Sequence, residues 1–451
     1  MPVRHDDAVT EHALEILQPG DAGYEATRRI HNGLIDKRPA LIARCHTTAD
    51  VVAAVGRARA EALEISVRGG GHNVAGKAVT DGGLMIDLSP MKDIVVDARA
   101  RTARAQPGLT WGEFNTATAA HGLVTTGGVV STTGISGLTL GGGYGWLQGK
   151  YGLTVDNLLA AEVVTADGEV LEAGDDVNAD LFWALRGGGG NFGVVTSFTY
   201  RLHPVTTVLG GPMVFPLAAA DSVIDGYRRL TSEAPDELGV QCGLLTGPDG
   251  ITKVAALVVC HCGELDRAWA DIRLLRELGT PLIDGVGPQS YLDRNTQLDD
   301  EFPAGALNYW KSAFFGDLSD AAAHVLIERF EQCPSPMSAC ILEHMGGAAT
   351  RVPSAATAYP HREPGHNLLI LSQWADPADT EPNIAWTRET FEALQPYMAD
   401  RRYVNYLSAD DAGYTRDAYG SNYERLVEVK RRYDPRNVFH LNQNIDPGSH
   451  D

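Results

Sequence analysis

The sequence predicts an α+β fold with two lobes, and three observations lead to it. A strand–helix–strand pattern and clustered glycines dominate residues 36–205. In residues 206–400 the glycine clusters thin out and strands alternate with longer helices, which is typical of an antiparallel sheet with helices on one face. Residues 401–451 return to the style of the first lobe. We therefore expect an N-terminal helical segment (1–35), a first lobe, a second lobe that caps it, and a returning C-terminal segment.

The elements of the first lobe follow from hydrophobic periodicity and from the residues that bound each run. The N-terminal segment is predicted to form helices from Ala8 to Leu17 and from Tyr24 to Leu34. The next predicted elements are strands at 40–45, 63–67, 84–88 and 194–200, and helices at 48–62, 111–120 and 180–185. The first strand, first helix and second strand of this set form a βαβ unit, which leads directly into residues 68–73.

Residues 68–73 read Arg-Gly-Gly-Gly-His-Asn. Three successive glycines lack Cβ atoms, so the backbone can adopt positive φ angles and approach a bulky ligand closely. Their N–H groups, with Arg68 beside them, suit an anionic group such as a pyrophosphate. His72 is then displayed on a tight turn as a candidate functional residue. The alternative is that His72 is a solvated turn residue.

A second glycine-rich segment runs from Gly127 to Gly145 and interleaves glycine with Val, Ile, Leu, Tyr and Trp. A flexible linker would lack such large apolar side chains, so we expect an ordered, buried loop against which a flat group packs. Residues 188–193 match the string G-x-G-x-x-G. A helix is predicted before this string and a strand after it, which is the wrong order for a nicotinamide-dinucleotide fold, and that interpretation is rejected.

The second lobe and the C-terminal segment are predicted from the same signals. The second-lobe helices are predicted at 219–233, 264–278, 321–332 and 384–394, and the strands at 254–260, 308–315, 339–345, 366–373 and 403–407. A helix from Tyr423 to Tyr433 is expected to end at Asp434-Pro435, because proline cannot continue a helix.

Composition and charge exclude several classes of protein. The 451 residues carry a formal net charge of −21, which disfavours nucleic acid and anionic membranes as partners. No run approaches about 20 apolar residues, and the N-terminal stretch has no export signal, so a cytoplasmic protein without a membrane span is expected. The six cysteines are scattered. The run at 260–262, Cys-His-Cys, supplies only half a tetrahedral site, so buried thiols and no metal are expected.

A series of motifs, in this order and spacing, resembles the berberine-bridge-enzyme-like flavin oxidases of the vanillyl-alcohol-oxidase superfamily. The resemblance covers nearly the whole chain. The motifs are RGGGHN (68–73), GLMIDL (83–88), GLTLGGGYGWL (137–147), YGLTVDN (151–157), DLFWALRG (180–187), YVNY (403–406) and YDPRNVFHLNQNI (433–445). The resemblance implies a two-lobed PCMH-type FAD-binding domain, an antiparallel-sheet substrate domain with helices on one face, and a flavin ring at the seam between them.

The same resemblance implies how the flavin is held, and in style it is nearest to bacterial members with one covalent link. In the family the loop histidine is bonded to the 8α-methyl group of the flavin, and His72 matches it. Many members add a second bond through a cysteine, but Val130 stands at that position here, so a single attachment is expected. The residues expected to bind the cofactor are Arg68, Gly69, Gly70, Gly71, His72, Asn73, Gly76, Gly128, Val129, Val130, Thr132, Thr133, Gly134, Gly137, Leu138, Gly142, Gly145, Val164, Asn442 and Asn444.

The catalytic expectation also comes from the resemblance. Tyr406 matches a family tyrosine that faces the flavin and acts as a base. An ordinary phenol has a pKa of about 10, so this role requires a stabilised phenolate, to which Tyr403, Asn405 and the flavin are expected to contribute. The alternative is that residues 403–406 simply fill a β-strand. Thr133 stands where the family guards oxygen access, and its size, close to that of valine, favours an oxidase.

The leading interpretation is an FAD-dependent oxidase. A small or medium organic substrate (an alcohol, amine, phenol, alkaloid or polyketide) would transfer hydride to flavin N5, and O2 would reoxidise the flavin with formation of H2O2. The alternatives are a dehydrogenase of the same fold, a sugar or oligosaccharide oxidase, and a non-catalytic flavoprotein. A monomer or homodimer is expected. His361, Arg362 and His366 of the second lobe are given no role.

Overall fold

The computed structural model describes residues 14–448, and it confirms the predicted α+β fold with two lobes. The first-lobe strands are β1 (Glu15–Leu17), β2 (Leu41–Arg44), β3 (Ile65–Arg68), β4 (Leu84–Asp87), β5 (Ile94–Asp97), β6 (Thr102–Ala105), β7 (Leu123–Val124), β8 (Leu158–Val164), β9 (Val170–Gly174), β10 (Val194–Arg201) and β11 (His203–Pro204). The second-lobe strands are β12 (Thr207–Pro216), β13 (Leu238–Thr246), β14 (Lys253–His261), β15 (Ile283–Asp284), β16 (Gly287–Ser290), β17 (Leu307–Phe315), β18 (Ala339–Met345) and β19 (Gly365–Trp374).

Helices surround these sheets and connect them. They are α1 (Tyr24–Thr27), α2 (Thr48–Ala60), α3 (Trp111–Ala119), α4 (Ile135–Leu140), α5 (Gln148–Tyr151), α6 (Ala179–Leu185), α7 (Ala220–Ser232), α8 (Leu265–Asp271), α9 (Tyr291–Thr296), α10 (Asp320–Glu331), α11 (Ala348–Arg351), α12 (Thr380–Leu394), α13 (Thr415–Tyr419) and α14 (Tyr423–Tyr433). The division of the chain at residues 35, 205 and 400 stays a prediction.

The βαβ unit delivers the first glycine loop to the edge of a four-stranded sheet. Strands β2 and β3 both pair in parallel with β4, in the order β1-β2-β4-β3. Helix α2 connects them, and its first turn is closed by a capping box in which the Thr47 hydroxyl accepts from the Asp50 N–H and the Asp50 carboxylate accepts from the Thr47 N–H. The chain therefore leaves β3 at the carboxyl end of the sheet, where the loop 69–73 begins.

The C-terminal segment returns to the first lobe and packs against its second sheet. This sheet is antiparallel, in the order β5-β6-β10-β8-β9. Helix α14 contributes Leu426 and Val427 to the same buried cluster as Leu181 and Phe182 of α6. The tail after α14 then runs past residues 188–193, where the Asn442 amide donates to the Gly190 carbonyl and the Ile445 N–H donates to the Asn191 side chain.

The second lobe is one eight-stranded antiparallel sheet, in the order β15-β12-β14-β13-β18-β19-β17 with β16 paired to β12. Alternate residues of each strand point to opposite faces. On one face, the sheet packs against α7, α10 and α12 to form the largest buried cluster. The opposite face of the sheet looks towards the first lobe. This matches the prediction of an antiparallel sheet with helices on one face.

Two predicted helices are wrong where the structure describes them. Residues 8–13 lie outside the described residues, but residues 15–17 form an edge strand paired with β2. The predicted helix 24–34 ends at Thr27. Beyond it, the His31 N–H donates to the Gly71 carbonyl and the Gly33 N–H to the Ala306 carbonyl. These partners in both lobes replace the helical hydrogen bonds, so tertiary contacts override helix propensity here.

Residues 403–407 were expected to form a strand, and this is also wrong. Residues 404–406 form a single 3-10 turn, in which the Tyr406 N–H donates to the Tyr403 carbonyl at 3.0 Å. The turn places the side chains of Tyr403 and Tyr406 in contact, with ring centroids 4.8 Å apart, whereas two residues three apart on a strand would point to opposite faces. Sequence reasoning missed β12 and β13, whose glycines and proline weakened the strand signal.

We predict that Lys430 is needed to hold the C-terminal segment in place. Its ammonium group is fully buried and donates to Asp434 and to the carbonyls of Asn191 and Phe439. The substitution Lys430→Met leaves the Asp434 carboxylate buried and unpaired, and it should lower the free energy of unfolding by about 3–5 kcal/mol. Urea unfolding followed by far-UV circular dichroism measures this loss.

The control is Arg432→Met, which breaks an exposed ion pair with Asp180 and should cost at most about 1 kcal/mol. Equal losses in the two variants would contradict a structural role for the buried pair.

Candidate active site

A cavity of about 730 Å³ lies between the two lobes. Its walls come from the loop 69–73, from the segment around α4, from the first-lobe-facing side of the second-lobe sheet, and from tail residues 441–443. Such a volume is typical of a pocket that holds a cofactor or a drug-sized ligand. The predicted functional residues that line it are Gly69, Gly70, Gly71, His72, Asn73, Gly128, Val129, Val130, Thr133, Gly134, Gly137, Leu138, Tyr403, Asn405, Tyr406 and Asn442.

The two glycine-rich segments touch each other along this wall. A Cβ atom on Gly70 would lie 2.5 Å from the Cα atom of Gly134, so neither position tolerates a side chain without a backbone shift. Within residues 14–448, no backbone hydrogen bond uses the N–H groups of residues 69–73. Free amides of this kind form a cradle for an anionic group.

Positive charge near the cradle comes from a residue that sequence reasoning missed. Arg68, expected to face an anion, does not line the cavity, because its guanidinium is engaged by Asp87 and by the Thr27 carbonyl. Lys77 lines the cavity instead and donates to the Asn442 carbonyl and to Gln443. Burial lowers the pKa of Lys77 to about 8. No motif marked Lys77, since its position depends on the path of the chain after His72.

His72 is partly buried and its ring is held on two sides. Its Nε2 atom lies 3.1 Å from the Thr132 hydroxyl, and its face stacks on His31 with ring centroids 3.8 Å apart. Burial, and then the neighbouring His31, lower the pKa of His72 to about 3. The imidazole is therefore neutral at physiological pH and retains a nucleophilic lone pair. Thr132 contacts this ring rather than lining the cavity.

The tail supplies polar atoms that lack partners in the described chain. Asn442 lines the cavity and its amide donates to the Gly190 carbonyl at 2.9 Å. Gln443 Nε2 and Asn444 Oδ1 are buried and have no hydrogen-bond partner among residues 14–448. Buried polar groups are almost always hydrogen-bonded, so Gln443 Nε2, whose residue lines the cavity, fits a polar ligand there. Asn444, one of the residues expected to bind the cofactor, does not line the cavity.

Four glycine or valine positions expected to bind a cofactor lie elsewhere. A side chain at Gly142 would meet the Tyr359 ring, one at Gly145 the Gly127 carbonyl, and one at Gly76 the Ile35 side chain. These glycines permit close packing of the protein against itself. Val164 is fully buried in the cluster beneath the four-stranded sheet. Gly142 and Gly145 belong to the motif 137–147, but membership of a motif does not determine which glycine faces a ligand.

The tyrosines at 403 and 406 belong to an aromatic cluster at the seam. Tyr403 stacks on Tyr144 with ring centroids 4.1 Å apart. Its hydroxyl accepts from the Gly143 N–H at 3.1 Å and from the Asn405 amide at 2.9 Å. Asn405 also donates to the Leu138 carbonyl. Asn405 therefore orients Tyr403 and the α4 segment, and it has no described bond to Tyr406.

Tyr406 donates its hydroxyl hydrogen to the Oε1 atom of Glu343 at 3.0 Å. Burial, and then the charge of Glu343, raise the pKa of Tyr406 well above its usual value. Within the described chain, the charge nearest to the Tyr406 phenol is therefore negative, and the phenol serves as a hydrogen-bond donor to it. The role of Tyr406 as a base stays a prediction.

Glu343 is the titratable group that sequence reasoning missed. It lines the cavity from strand β18, and its other oxygen accepts from the Asn367 amide at 2.9 Å. Burial raises the pKa of Glu343 to about 7. A carboxyl group with a pKa near neutrality in a cavity is a candidate general base. The signal in the sequence was a charged residue within the apolar alternation of residues 339–345.

The three second-lobe residues that are given no role from sequence do not line the cavity. Arg362 forms a buried ion pair with Asp156, His361 bonds to the Ala418 carbonyl, and His366 lies against the Tyr227 hydroxyl. Within residues 14–448, no group of three or more His, Cys, Asp or Glu side chains could hold a metal ion. No helix in this same range is long and apolar enough to cross a membrane.

Two family models match the chain. One, described as an FAD binding domain, matches residues 39–174, and the other, described as berberine and berberine like, matches residues 402–446. The first range contains the loop 69–73 and the α4 segment, and the second contains Tyr406 and the tail. The two matched ranges therefore contain most of the residues of the first lobe and of the C-terminal segment that line the cavity.

Individual relatives match over most of their length. The chain is 34% identical to (R)-6-hydroxynicotine oxidase of Paenarthrobacter nicotinovorans, with 96% of each chain covered. It is 30% identical to an aclacinomycin-N/aclacinomycin-A oxidase of Streptomyces galilaeus, with 92% of this chain and 86% of the relative covered. The crystal structure of 6-hydroxy-D-nicotine oxidase from Arthrobacter nicotinovorans superimposes with a TM-score of 0.87 at 33% identity, covering 96% of this chain and 98% of that one.

Proposed function

Because this chain belongs to the berberine-bridge-enzyme-like family of FAD-linked oxidoreductases, we propose that it is an oxidase of small or medium-sized organic molecules. One observation carries the proposal: Glu343, buried and bonded to Tyr406, lies in the same cavity as His72 and the free amides of residues 69–73. The cavity thus combines a place for an anionic cofactor with a base of suitable pKa.

The first-lobe half of the cavity fits FAD. The amides of residues 69–73 and the ammonium group of Lys77 suit its pyrophosphate, and the unpaired amide nitrogen of Gln443 suits its polar ring or ribityl chain. We propose a single covalent bond to the neutral His72 ring. All six cysteines lie among the described residues, and none lines the cavity, which supports a single attachment.

Bound FAD supplies the hydride acceptor, and we propose O2 as the oxidant that returns it, with H2O2 as product. The chain itself supplies the base. As the substrate loses hydride from carbon, the Glu343 carboxylate takes the proton from the adjoining O–H or N–H group. Tyr406 keeps its own proton and holds the accepting carboxylate in place. Thr133 lines the cavity at the position expected to guard oxygen access, which supports an oxidase.

The second-lobe half of the cavity favours apolar substrates. Its wall is formed by alternate residues of the sheet, among them Val214, Leu245, Ala256, Ile341 and Leu369. Glu343 is the single ionisable side chain among the strand residues of the second lobe that line the cavity, and the other second-lobe charges there are Asp300 and Glu301.

An anionic substrate would meet only like charge on this side, from Asp300, Glu301 and Glu343. We propose an uncharged or cationic molecule with an aromatic or otherwise apolar body, carrying an alcohol or amine. A relative named for the oxidation of (R)-6-hydroxynicotine supports a substrate of modest size.

We predict that Glu343→Gln slows the chemical step while FAD remains bound. Loss of a general base should reduce the anaerobic rate of flavin bleaching by about 10²–10⁴-fold. Stopped-flow absorbance with a panel of aromatic amines and alcohols measures the rate. The control is Glu331→Gln, an exposed carboxyl group at the end of α10, which should react as the wild type does. Bleaching of Glu343→Gln at the wild-type rate would refute the role of this carboxylate.

The pH dependence of the reaction should identify the same group. Glu343 is active when ionised, so kcat/KM should rise with pH and level off above about 7. The Tyr406 hydroxyl favours the ionised carboxylate, so Tyr406→Phe should move the rise to higher pH without removing it. Steady-state oxygen uptake from pH 5 to pH 9 tests both expectations. A Tyr406→Phe enzyme whose rise vanishes would instead indicate the phenol as the base.

We predict that the yellow colour of the purified protein stays with the pellet after acid precipitation. His72→Ala should keep its fold and release the flavin into the supernatant, because the proposed bond is then missing. Absorbance near the flavin maximum in both fractions measures the partition. Flavin retained in the pellet of His72→Ala would show that another residue carries the link.

A further inference from the structure

We propose that His31 and Thr132 are positioning residues that hold the His72 imidazole in one orientation for its covalent attachment to flavin. The inference rests on the proposed bond through His72 and adds two residues that no motif indicated for this step. His31 covers one face of the ring, and Thr132 engages one of its two nitrogens. Together they limit rotation of the ring about the Cβ–Cγ bond of His72.

The stack of His31 on His72 is close and nearly parallel, with ring centroids 3.8 Å apart and planes inclined by 20°. His31 is itself buried, and its Nε2 atom has no hydrogen-bond partner within residues 14–448. The ring of His31 is therefore held by packing and by its backbone. A flat side chain of similar shape should serve the same purpose.

The backbone of His31 is fixed from both lobes. Its N–H donates to the carbonyl of Gly71, the residue before His72, at 3.0 Å, and its own carbonyl accepts from the Gly305 N–H at 2.9 Å. Arg68 also donates to the carbonyls of Thr27 and Arg29 in the same segment. The segment that was expected to be helical thus runs beside the loop 69–73 and supplies the surface on which His72 rests.

Thr132 determines which nitrogen of His72 can react. A nitrogen that forms a new bond to carbon needs a free lone pair, and Nε2 is engaged by the Thr132 hydroxyl at 3.1 Å. When Nε2–H donates to Thr132, the lone pair lies on Nδ1, which we assign as the attacking atom. The low pKa of His72 keeps this nitrogen unprotonated at neutral pH.

Formation of the bond between His72 and the flavin is a two-electron oxidation, and dioxygen is the oxidant. One C–H bond of the 8α-methyl group and the N–H bond of the imidazole break, and an N–C bond forms. The two electrons pass to the flavin, and dioxygen takes up both electrons and both protons as H2O2. The proton that leaves the imidazole is the one on Nε2, which already faces the hydroxyl oxygen of Thr132.

The test measures the rate of attachment separately from FAD binding. Apoprotein from riboflavin-limited cells is mixed with FAD in air, and covalent flavin is followed by fluorescence of the denatured chain in a gel. Quenching of free FAD fluorescence gives the binding constant of each variant. His31→Ala and Thr132→Val should attach flavin at least tenfold more slowly than wild type, with FAD affinity unchanged within about threefold.

Matched variants separate packing from other roles. His31→Phe keeps a flat ring without nitrogens, and Thr132→Ser keeps the hydroxyl, so both should attach flavin within about threefold of the wild-type rate. His121→Ala removes an exposed histidine of the first lobe and should have no effect. Attachment by His31→Ala at the wild-type rate would overturn the proposal. So would attachment by His31→Phe as slow as that of His31→Ala.

Failure of the underlying proposal looks different in the same experiment. If wild-type protein binds FAD but never forms a covalent product, the bond to His72 does not exist. His31 and Thr132 then have no positioning role. If wild-type protein attaches flavin and His72→Ala does too, the attachment site lies elsewhere. If His72→Ala fails to attach flavin but His31→Ala and Thr132→Val attach it at the wild-type rate, His72 is the attachment site and His31 and Thr132 do not position it.

Discussion

The contact between Gly70 and Gly134 is the constraint on which the cavity depends. Two loops that are far apart in sequence meet backbone to backbone, at a distance that excludes even a methyl group on either one. The amides of residues 69–73 have no backbone hydrogen-bond partner in the described chain, and these residues line the cavity. The βαβ unit provides one loop and the turn into α4 provides the other, so the first lobe builds its binding surface from backbone rather than from side chains.

The second lobe contributes a carboxyl group, Glu343, whose pKa is raised because the lobe buries it away from water. Alternation along β13, β14, β18 and β19 sends one set of apolar residues into the helix-covered core and the other set into the cavity. Glu343 occupies a cavity-facing position in this apolar surface, and burial opposes its ionisation. The donors on Tyr406 and Asn367 offset part of that cost, so the pKa of Glu343 settles at about 7. Burial and the charge of Glu343 in turn raise the pKa of Tyr406.

The parts of the molecule that were predictable from sequence are those with local causes. Runs such as 339–345 and helices such as α14 follow from periodicity and from a terminating proline, and the loop 69–73 follows from its glycines. Contacts between distant segments were not predictable in this way. Glu343, Lys77 and His31 acquire their significance from neighbours hundreds or tens of residues away. The ion pair that diverts Arg68 from the cavity and the pairing of β1 with β2 have the same origin.

A crystal structure of the purified yellow protein with an apolar amine inhibitor tests the central claim most directly. We expect continuous electron density from the His72 ring into a flavin in the inter-lobe cavity, with the inhibitor between the flavin and the Glu343 carboxylate. Density for a flavin outside this cavity, or an inhibitor remote from Glu343, would contradict it.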